Sequence, residues 1–166
     1  VTSPGWSPDS RRLVVSGTNG GISDLYVVDV DGGNFRRLTN DRWGNLQPQW
    51  SPDGRRIAFV TDRAEDSSME LLRLSPWRVS VHDIETGRTE LLPNQGGHNL
   101  NPQWAPDSKS LAYISDRATS KAQNVFLYDF DTREHYQLTN VIGAIQAATE
   151  YSPAITWARG ADRLAF

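Results

Sequence analysis

The chain has 166 residues, with 17 Lys and Arg against 20 Asp and Glu, six Trp and no Cys. Its formal net charge of −3 offers no basic footprint for a nucleic acid or an anionic membrane surface. The absence of Cys excludes disulfides, thiolate metal sites and a Cys nucleophile. No apolar run approaches the ~20 residues of a membrane-spanning helix. We therefore expect a globular domain with no nucleic-acid partner and no membrane insertion.

A repeat organises the whole chain. The pattern Trp-Ser/Ala-Pro-Asp-Gly/Ser occurs three times without a gap, beginning at Trp6, Trp50 and Trp104. A fourth copy at Trp157 keeps the register but lacks the Pro-Asp pair. The successive spacings of 44, 54 and 53 residues are typical of propeller blades.

Each repeat predicts four short strands. The first strand ends at the Trp, and the Pro-Asp-Gly/Ser segment that follows it is a tight-turn signal. No window of helical period competes, so the predicted fold is all-β, a β-propeller of four-stranded antiparallel blades. The predicted second strands are 13–15, 57–60, 111–114 and 164–166, the third strands are 25–29, 78–83 and 125–129, and the fourth strands are 35–39, 89–92 and 135–139.

These strands divide the chain into blades at residues 1–40, 41–93 and 94–140, followed by a half blade at 141–166. Propellers close with about four to eight blades. We therefore expect about three and a half blades of a longer ring of six or seven. The alternative that stays open is a half-ring that self-associates through the unpaired half blade, since an exposed strand edge invites pairing.

Further residues recur at fixed spacing around the Trp. The second repeat reads Pro48–Gly54, then an apolar strand, then Thr61–Arg63, and the third reads Pro102–Trp104 and later Ser115–Arg117. Aromatic third strands ending in Asp and a fourth strand ending in Leu-Thr complete the pattern, which resembles the TolB-type, WD-like β-propeller repeat family. The resemblance covers essentially the whole chain, although Gly17-Thr18 replaces Asp-Arg in the first repeat.

The resemblance implies a non-catalytic module that binds a protein or peptide, in a periplasmic or extracellular cell-envelope complex with a lipoprotein-type partner at the channel mouth. Similar repeats also form the propeller of prolyl oligopeptidase-like serine peptidases. The alternative is therefore a gating propeller whose hydrolase domain lies outside this chain. A propeller lyase acting on acidic sugars is a third reading, which would need clustered His.

Motifs for catalysis are missing from the sequence. It contains no Gly-x-Ser-x-Gly elbow, no phosphate loop and no dinucleotide fingerprint, so we predict no enzyme and no cofactor. His82, His98 and His135 show no metal-ligand spacing, and we predict no metal site. We expect His82 and His135 on the solvent side and His98 near the central channel.

Asp residues recur at the same two positions of the blade. Asp53 and Asp107 lie in the turn after the Trp, while Asp62 and Asp116 each precede an Arg at the end of the second strand. A single active site would not require such repetition. We predict that these carboxylates stabilise turns and that the two Asp-Arg pairs tie neighbouring connections.

The longest insertions predict one binding face. Loops between second and third strands share a face, here called the rim, with the blade-to-blade connections, and the expanded segments 64–76 and 141–151 both belong to it. Functional residues concentrate in loops held by a rigid scaffold, although drift in tolerated loops is an open alternative. The four repeat-locked Trp should pack between blades. The predicted partner-binding residues, on the rim and at the polar channel mouth, are Trp43, Asn45, Gln47, Trp77, His98, Asn99 and Asn101.

Overall fold

The computed structural model describes residues 1–63, 75–118, 122–141, 155–158 and 163–165. In those residues there are three four-stranded antiparallel sheets, one two-stranded sheet and no helix. Strand order within each sheet follows the chain, as in an up-and-down propeller blade. The predicted all-β fold of four-stranded antiparallel blades is confirmed. No helix in this described part is long and apolar enough to cross a membrane.

The strands are numbered in chain order. The first blade contains β1 (Thr2–Trp6), β2 (Arg12–Asn19), β3 (Ile22–Asp29) and β4 (Arg36–Arg37); the second contains β5 (Asn45–Trp50), β6 (Arg56–Thr61), β7 (Arg78–Asp83) and β8 (Thr89–Leu91). The third contains β9 (Asn99–Trp104), β10 (Ser110–Ser115), β11 (Asn124–Asp129) and β12 (Glu134–Gln137), and the two-stranded sheet contains β13 (Thr156–Trp157) and β14 (Leu164–Ala165).

The outermost strands β4 and β12 end earlier than predicted because their Leu-Thr ends change the hydrogen-bonding mode. Leu38 still donates its N–H to the carbonyl of Leu25, but the Thr39 hydroxyl then accepts the N–H of Leu25 at 2.9 Å. The third blade repeats this arrangement, with Thr139 accepting from Val125 at 2.9 Å. A side-chain oxygen thus replaces the main-chain ladder where the chain leaves the blade.

The turns after Trp6, Trp50 and Trp104 form as predicted. Ser51 donates its hydroxyl hydrogen to Asp53 Oδ1 at 2.5 Å, and the N–H of Arg55 donates to the same oxygen at 3.0 Å. Gly54 closes this turn with a φ of 74°, which glycine adopts without steric cost. The turn role predicted for Asp53 and Asp107 is confirmed, because Asp107 accepts the N–H of Lys109 at 2.8 Å.

The core lies between blades, where the repeat-locked Trp pack. Trp50 and Trp104 are each 6% exposed, and the indole N–H groups of Trp104 and Trp157 donate to Gln49 and Gln103 in the preceding blade, both at 3.2 Å. The predicted position is therefore confirmed for these three Trp. It is wrong for Trp6, which is 58% exposed because none of the described blades lies on the side of β1 that this residue faces.

Candidate functional site

Each innermost strand is bent by a bulge at the residue before its Pro. Ser3, Gln47 and Asn101 share a φ of 52°, and the strand register shifts at this point in all three blades. A following Pro cannot donate to the ladder, and a bulge re-aims the side chains beside it. The Gln47 side chain consequently reaches the next blade, where its Oε1 accepts the N–H of Asn101 at 2.9 Å.

The amides of Asn45 and Asn99, two residues before the bulge, are completely buried. Asn45 Nδ2 donates to the carbonyl of Trp43 at 3.1 Å, and Asn99 Nδ2 donates to the carbonyl of Trp77 at 3.1 Å. Both residues were expected at the polar mouth, and the structure instead places them beneath it. Asn45 thus holds the connection that enters the second blade, whereas Asn99 ties the third blade to the connection that precedes β7 in the second, because a main-chain carbonyl needs a donor.

Trp77 is half-buried and contacts the hydrophobic cluster between the second and third blades. Its ring passes so close to Gly44 that a β-carbon there would lie 3.4 Å away. Trp43 is also half-buried, and the Arg42 guanidinium lies 4.7 Å above its ring. Each indole ring is therefore partly covered by neighbouring residues of the rim, and part of each ring stays exposed to solvent.

A groove of about 250 Å³ opens between the first and second blades on the rim side. Its apolar lining comes from Leu46, Val60, Trp77 and Leu100, and its edge carries hydroxyl groups and the Gln47 amide. The Thr18 and Ser23 hydroxyls are 3.0 Å apart at that edge. Among the residues that the structure describes, no ionisable side chain lines it. The residues of this rim groove are Thr2, Ser3, Thr18, Ser23, Leu46, Gln47, Val60, Trp77 and Leu100.

The rim groove unites only part of the predicted site. It contains Gln47 and Trp77, and the 5% exposed Asn101 adjoins it through its bond to Gln47. His98 and Trp43 lie outside this lining. Leu46 and the Thr18–Ser23 edge were not among the predicted site residues, although the change to Gly17-Thr18 in the first repeat marked that edge as different.

His98 is exposed on the connection that enters the third blade. Its N–H donates to Asp116 Oδ1 at 2.6 Å, and in the part of the chain that the structure describes its ring has no hydrogen-bond partner. The second blade repeats this contact, since Gly44 donates its N–H to Asp62 Oδ1 at 2.8 Å. The prediction that the repeated Asp residues tie neighbouring connections is confirmed. Burial raises the pKa of Asp62, against the effect of the Gly44 hydrogen bond.

The expected solvent-side position is wrong for His82 and His135. His82 is 3% exposed, and His135 is half-buried between the Tyr113 hydroxyl and the Pro93 carbonyl, each 2.7 Å from a ring nitrogen. Both side chains face the inside of a blade junction, and burial lowers the pKa of each. No group of three His, Asp or Glu suited to a metal occurs in the residues described.

The two expanded rim segments fall largely outside the described residues. Within 64–76 only Ser75 and Pro76 are described, and within 141–151 only Val141 is described. The proposal that these insertions form part of the binding face therefore stays a prediction.

Comparison with known sequences gives a consistent family. A model of the TolB β-propeller domain matches residues 1–69. An uncharacterised protein of Agrobacterium fabrum is 32% identical over 117 residues, which are 67% of this chain and 38% of that protein. The Tol-Pal system protein TolB of Gluconobacter oxydans is 30% identical over 123 residues, which are 74% of this chain and 24% of that protein.

A third relative is the uncharacterised peptidase YuxL of Bacillus subtilis, 25% identical over 157 residues, which are 76% of this chain and 24% of that protein. The chain thus spans about a quarter to two fifths of the length of these relatives.

Solved structures show the same fold. TolB from Acinetobacter baumannii superimposes with a TM-score of 0.67 at 24% identity, over 83% of this chain and 32% of that one. A puromycin hydrolase superimposes with a TM-score of 0.65 at 19% identity, over 95% of this chain and 23% of that one. The fold of this chain is therefore found both in TolB and in a puromycin hydrolase, and the fold alone does not choose a function.

Proposed function

The chain belongs to the TolB-type, WD-like β-propeller repeat family, and from that premise we propose that it is a non-catalytic module that binds a protein or peptide partner. The proposed binding surface is the rim groove together with His98 and Trp43 at the channel mouth. The rim groove carries the proposal, because it is a concave surface where two predicted site residues meet, Gln47 from β5 and Trp77 from the connection before β7.

The size and chemistry of the rim groove favour one apolar side chain of a partner. Its volume of about 250 Å³ is below the 300–1,000 Å³ typical of small-molecule pockets. Leu46, Trp77 and Leu100 offer an apolar floor, and the hydroxyl edge can bond to a main chain lying across it. An apolar anchor in a pocket with a polar surround is the usual arrangement of an interface hot spot.

The test blocks the rim groove without disturbing the core. Thr18 is exposed at the end of β2, so Thr18→Arg should fold normally and fill the entrance with a charged side chain. The matched control is Gln137→Arg in the outermost strand of the third blade, where the first blade already carries Arg37 at the equivalent position. Peptides selected from a random display library against the purified protein supply the ligands.

We expect Thr18→Arg to weaken the selected peptides at least about tenfold, since truncating a hot-spot contact costs about 2 kcal/mol or more. Gln137→Arg should bind as the wild type does. Equal affinities of both variants for every selected peptide would place the binding surface elsewhere.

The proposed location is the periplasm or the extracellular space, in a cell-envelope complex. Support comes from the Gluconobacter oxydans relative, whose name assigns it to the Tol-Pal system. Fractionation of cells that express the intact gene tests the location: the protein should be released with the periplasmic or secreted fraction, and recovery only with the cytoplasm would contradict the proposal.

A second candidate is the gating propeller of a prolyl oligopeptidase-like serine peptidase. The observation that favours it is the similarity to the Bacillus subtilis peptidase and to puromycin hydrolase. The intact protein would then cleave a proline-containing chromogenic peptide, and a serine-directed inhibitor would abolish this cleavage. No cleavage above background under these conditions would leave the binding module as the better description.

A further inference from the structure

A second and larger cavity, of about 440 Å³, lies between the second and third blades. It opens at the face that carries the β7–β8 and β11–β12 turns, opposite the rim. Its volume falls within the 300–1,000 Å³ of typical small-molecule sites. The residues of this interblade cavity are Arg56, Val81, Asp83, Thr86, Arg88, Glu90, Leu91, Leu92, Pro93, Tyr128, Phe130 and Arg133.

Two apolar walls face each other across the interblade cavity. Leu91, Leu92 and Pro93 form one wall at the end of the second blade. Tyr128 and Phe130 form the other, with their rings edge to face at a centroid distance of 4.9 Å. Such a pair of walls suits a flat or aliphatic body, because the burial of apolar surface drives its transfer from water.

The acidic groups at the cavity are already engaged. Asp83 accepts the N–H and the hydroxyl hydrogen of Thr86 at 2.7 and 2.8 Å, so its carboxylate serves the β7–β8 turn. Glu90 pairs with Arg88 at 2.7 Å. Asp83 keeps its negative charge in that turn, so the cavity lining carries three guanidinium groups against two carboxylates.

The basic groups are in excess. The Arg56 guanidinium lies 4.5 Å from the Trp104 ring and 4.6 Å from the Phe130 ring, and it is held there as part of the wall. Arg133 lies in the cavity lining with Tyr128, and within the described ranges it has no salt-bridge partner. An uncompensated guanidinium at the mouth of an apolar cavity favours an anionic group there.

We propose that the interblade cavity binds a small molecule that carries one carboxylate on an apolar body, with the carboxylate on Arg133 and the body between the two walls. The proposal is independent of partner binding at the rim, because the two cavities share no residue and open on opposite faces.

The test compares two probes that differ only in charge, 1-naphthaleneacetate and its neutral amide, 1-naphthaleneacetamide. Both are titrated into the isotope-labelled protein, and amide chemical shifts report affinity and position. We expect the acetate to bind at least about tenfold more tightly than the amide, since hydrogen bonds between charged groups are about twice as strong as neutral ones. The shifts should centre on Leu91, Leu92 and Phe130.

The variant Arg133→Asn removes the charge and suits the backbone, because Asn tolerates the φ of 60° at this position. It should lose about tenfold in affinity for the acetate and little for the amide. The matched control is Arg55→Asn, an exposed Arg outside the cavity, which should bind as the wild type does. Equal binding of acetate and amide by the wild type, equal effects of the two variants, or no shifts at the cavity would each overturn the proposal.

Discussion

Gln47 and Asn101 occupy the same position in successive blades and bond to each other: Gln47 Oε1 accepts the N–H of Asn101 at 2.9 Å. Both residues have a φ of 52°. The bulge therefore bends the innermost strand and also turns the Gln47 amide sideways toward the neighbouring blade. Register within a blade and attachment between blades thus depend on one repeated backbone feature.

Removing this bond should destabilise the protein. Gln47→Ala leaves the buried N–H of Asn101 without an acceptor, and we expect a loss of about 1–3 kcal/mol in the free energy of unfolding. Gln49→Ala is the control, because only the main chain of Gln49 bonds to the next blade, through its carbonyl to Trp104. Urea denaturation measures the free energy of unfolding of both variants. An equal decrease in the two would contradict the role assigned to the Gln47 side chain.

Much of the fold could be predicted from the sequence because the same strand and turn patterns occur in several successive repeats. The strands around Trp50 and Trp104 and the turns at Asp53 and Asp107 are local patterns set by period and turn chemistry. The tie made by Asp116 could also be predicted, since Asp62 recurs at the same position of the preceding blade and a recurring residue serves the blade.

The candidate site could not be predicted to the same depth. Asn45 and Asn99 are polar residues of the kind expected at a channel mouth. Their amides instead bond to main-chain carbonyls, and a sequence pattern does not indicate which carbonyls lie within reach. His82 and His135 look like surface residues at strand ends and are buried by a neighbouring blade far away in the chain. The groove edge at Thr18 depends on two blades meeting, which no local pattern reports.

The buried histidines should make stability depend on pH. His135 Nε2 donates to the Pro93 carbonyl, so its Nδ1 accepts from the Tyr113 hydroxyl only while the ring is neutral. Burial lowers the pKa of His135 below the ordinary 6.5. As pH falls below about 6.5, His135 binds a proton in the unfolded state but stays neutral in the folded state until the pH reaches its lowered pKa.

The free energy of unfolding should therefore be constant above about pH 7 and fall as pH drops from 6.5 through the lowered pKa. His135→Gln should be less stable at pH 7.5 and should lose part of this dependence, His82 supplying another part because burial lowers its pKa too. Urea denaturation at half-unit steps between pH 5 and 8 measures the slope. A slope unchanged in His135→Gln would mean that this ring does not contribute.

The Arg56 guanidinium should contribute to stability through its shape as well as its charge. It lies against the stacked pair of Trp104 and Phe130 rings, 4.5 and 4.6 Å from their centroids, and donates to the Ser108 carbonyl. Arg56→Lys keeps the charge but loses the planar stacking group, so we expect a loss of about 1 kcal/mol in the free energy of unfolding. The neighbouring exposed Arg55→Lys should stay within about 0.5 kcal/mol of the wild type. Equal stability of the two variants, measured in urea, would exclude a stacking contribution.

Gly97 should be the least replaceable glycine of the connection into the third blade. Its φ is 63°, and a β-carbon there would lie 2.7 Å from the Arg117 nitrogen and closer still to Asp116 Oδ1. Gly97→Ala must therefore displace the contact by which Asp116 accepts the N–H of His98. Gly87 has a φ of 71° but no atom within 4 Å of the same position.

Gly87→Ala should then cost only the left-handed backbone penalty of about 1–2 kcal/mol, and Gly97→Ala should cost clearly more. Thermal or urea unfolding of the pair isolates the steric contribution, since the backbone penalty is common to both. Amide exchange of His98 supplies a local readout and should accelerate in Gly97→Ala alone. If the two variants were equally stable and His98 exchanged alike in both, the Asp116 contact would not hold this connection in place.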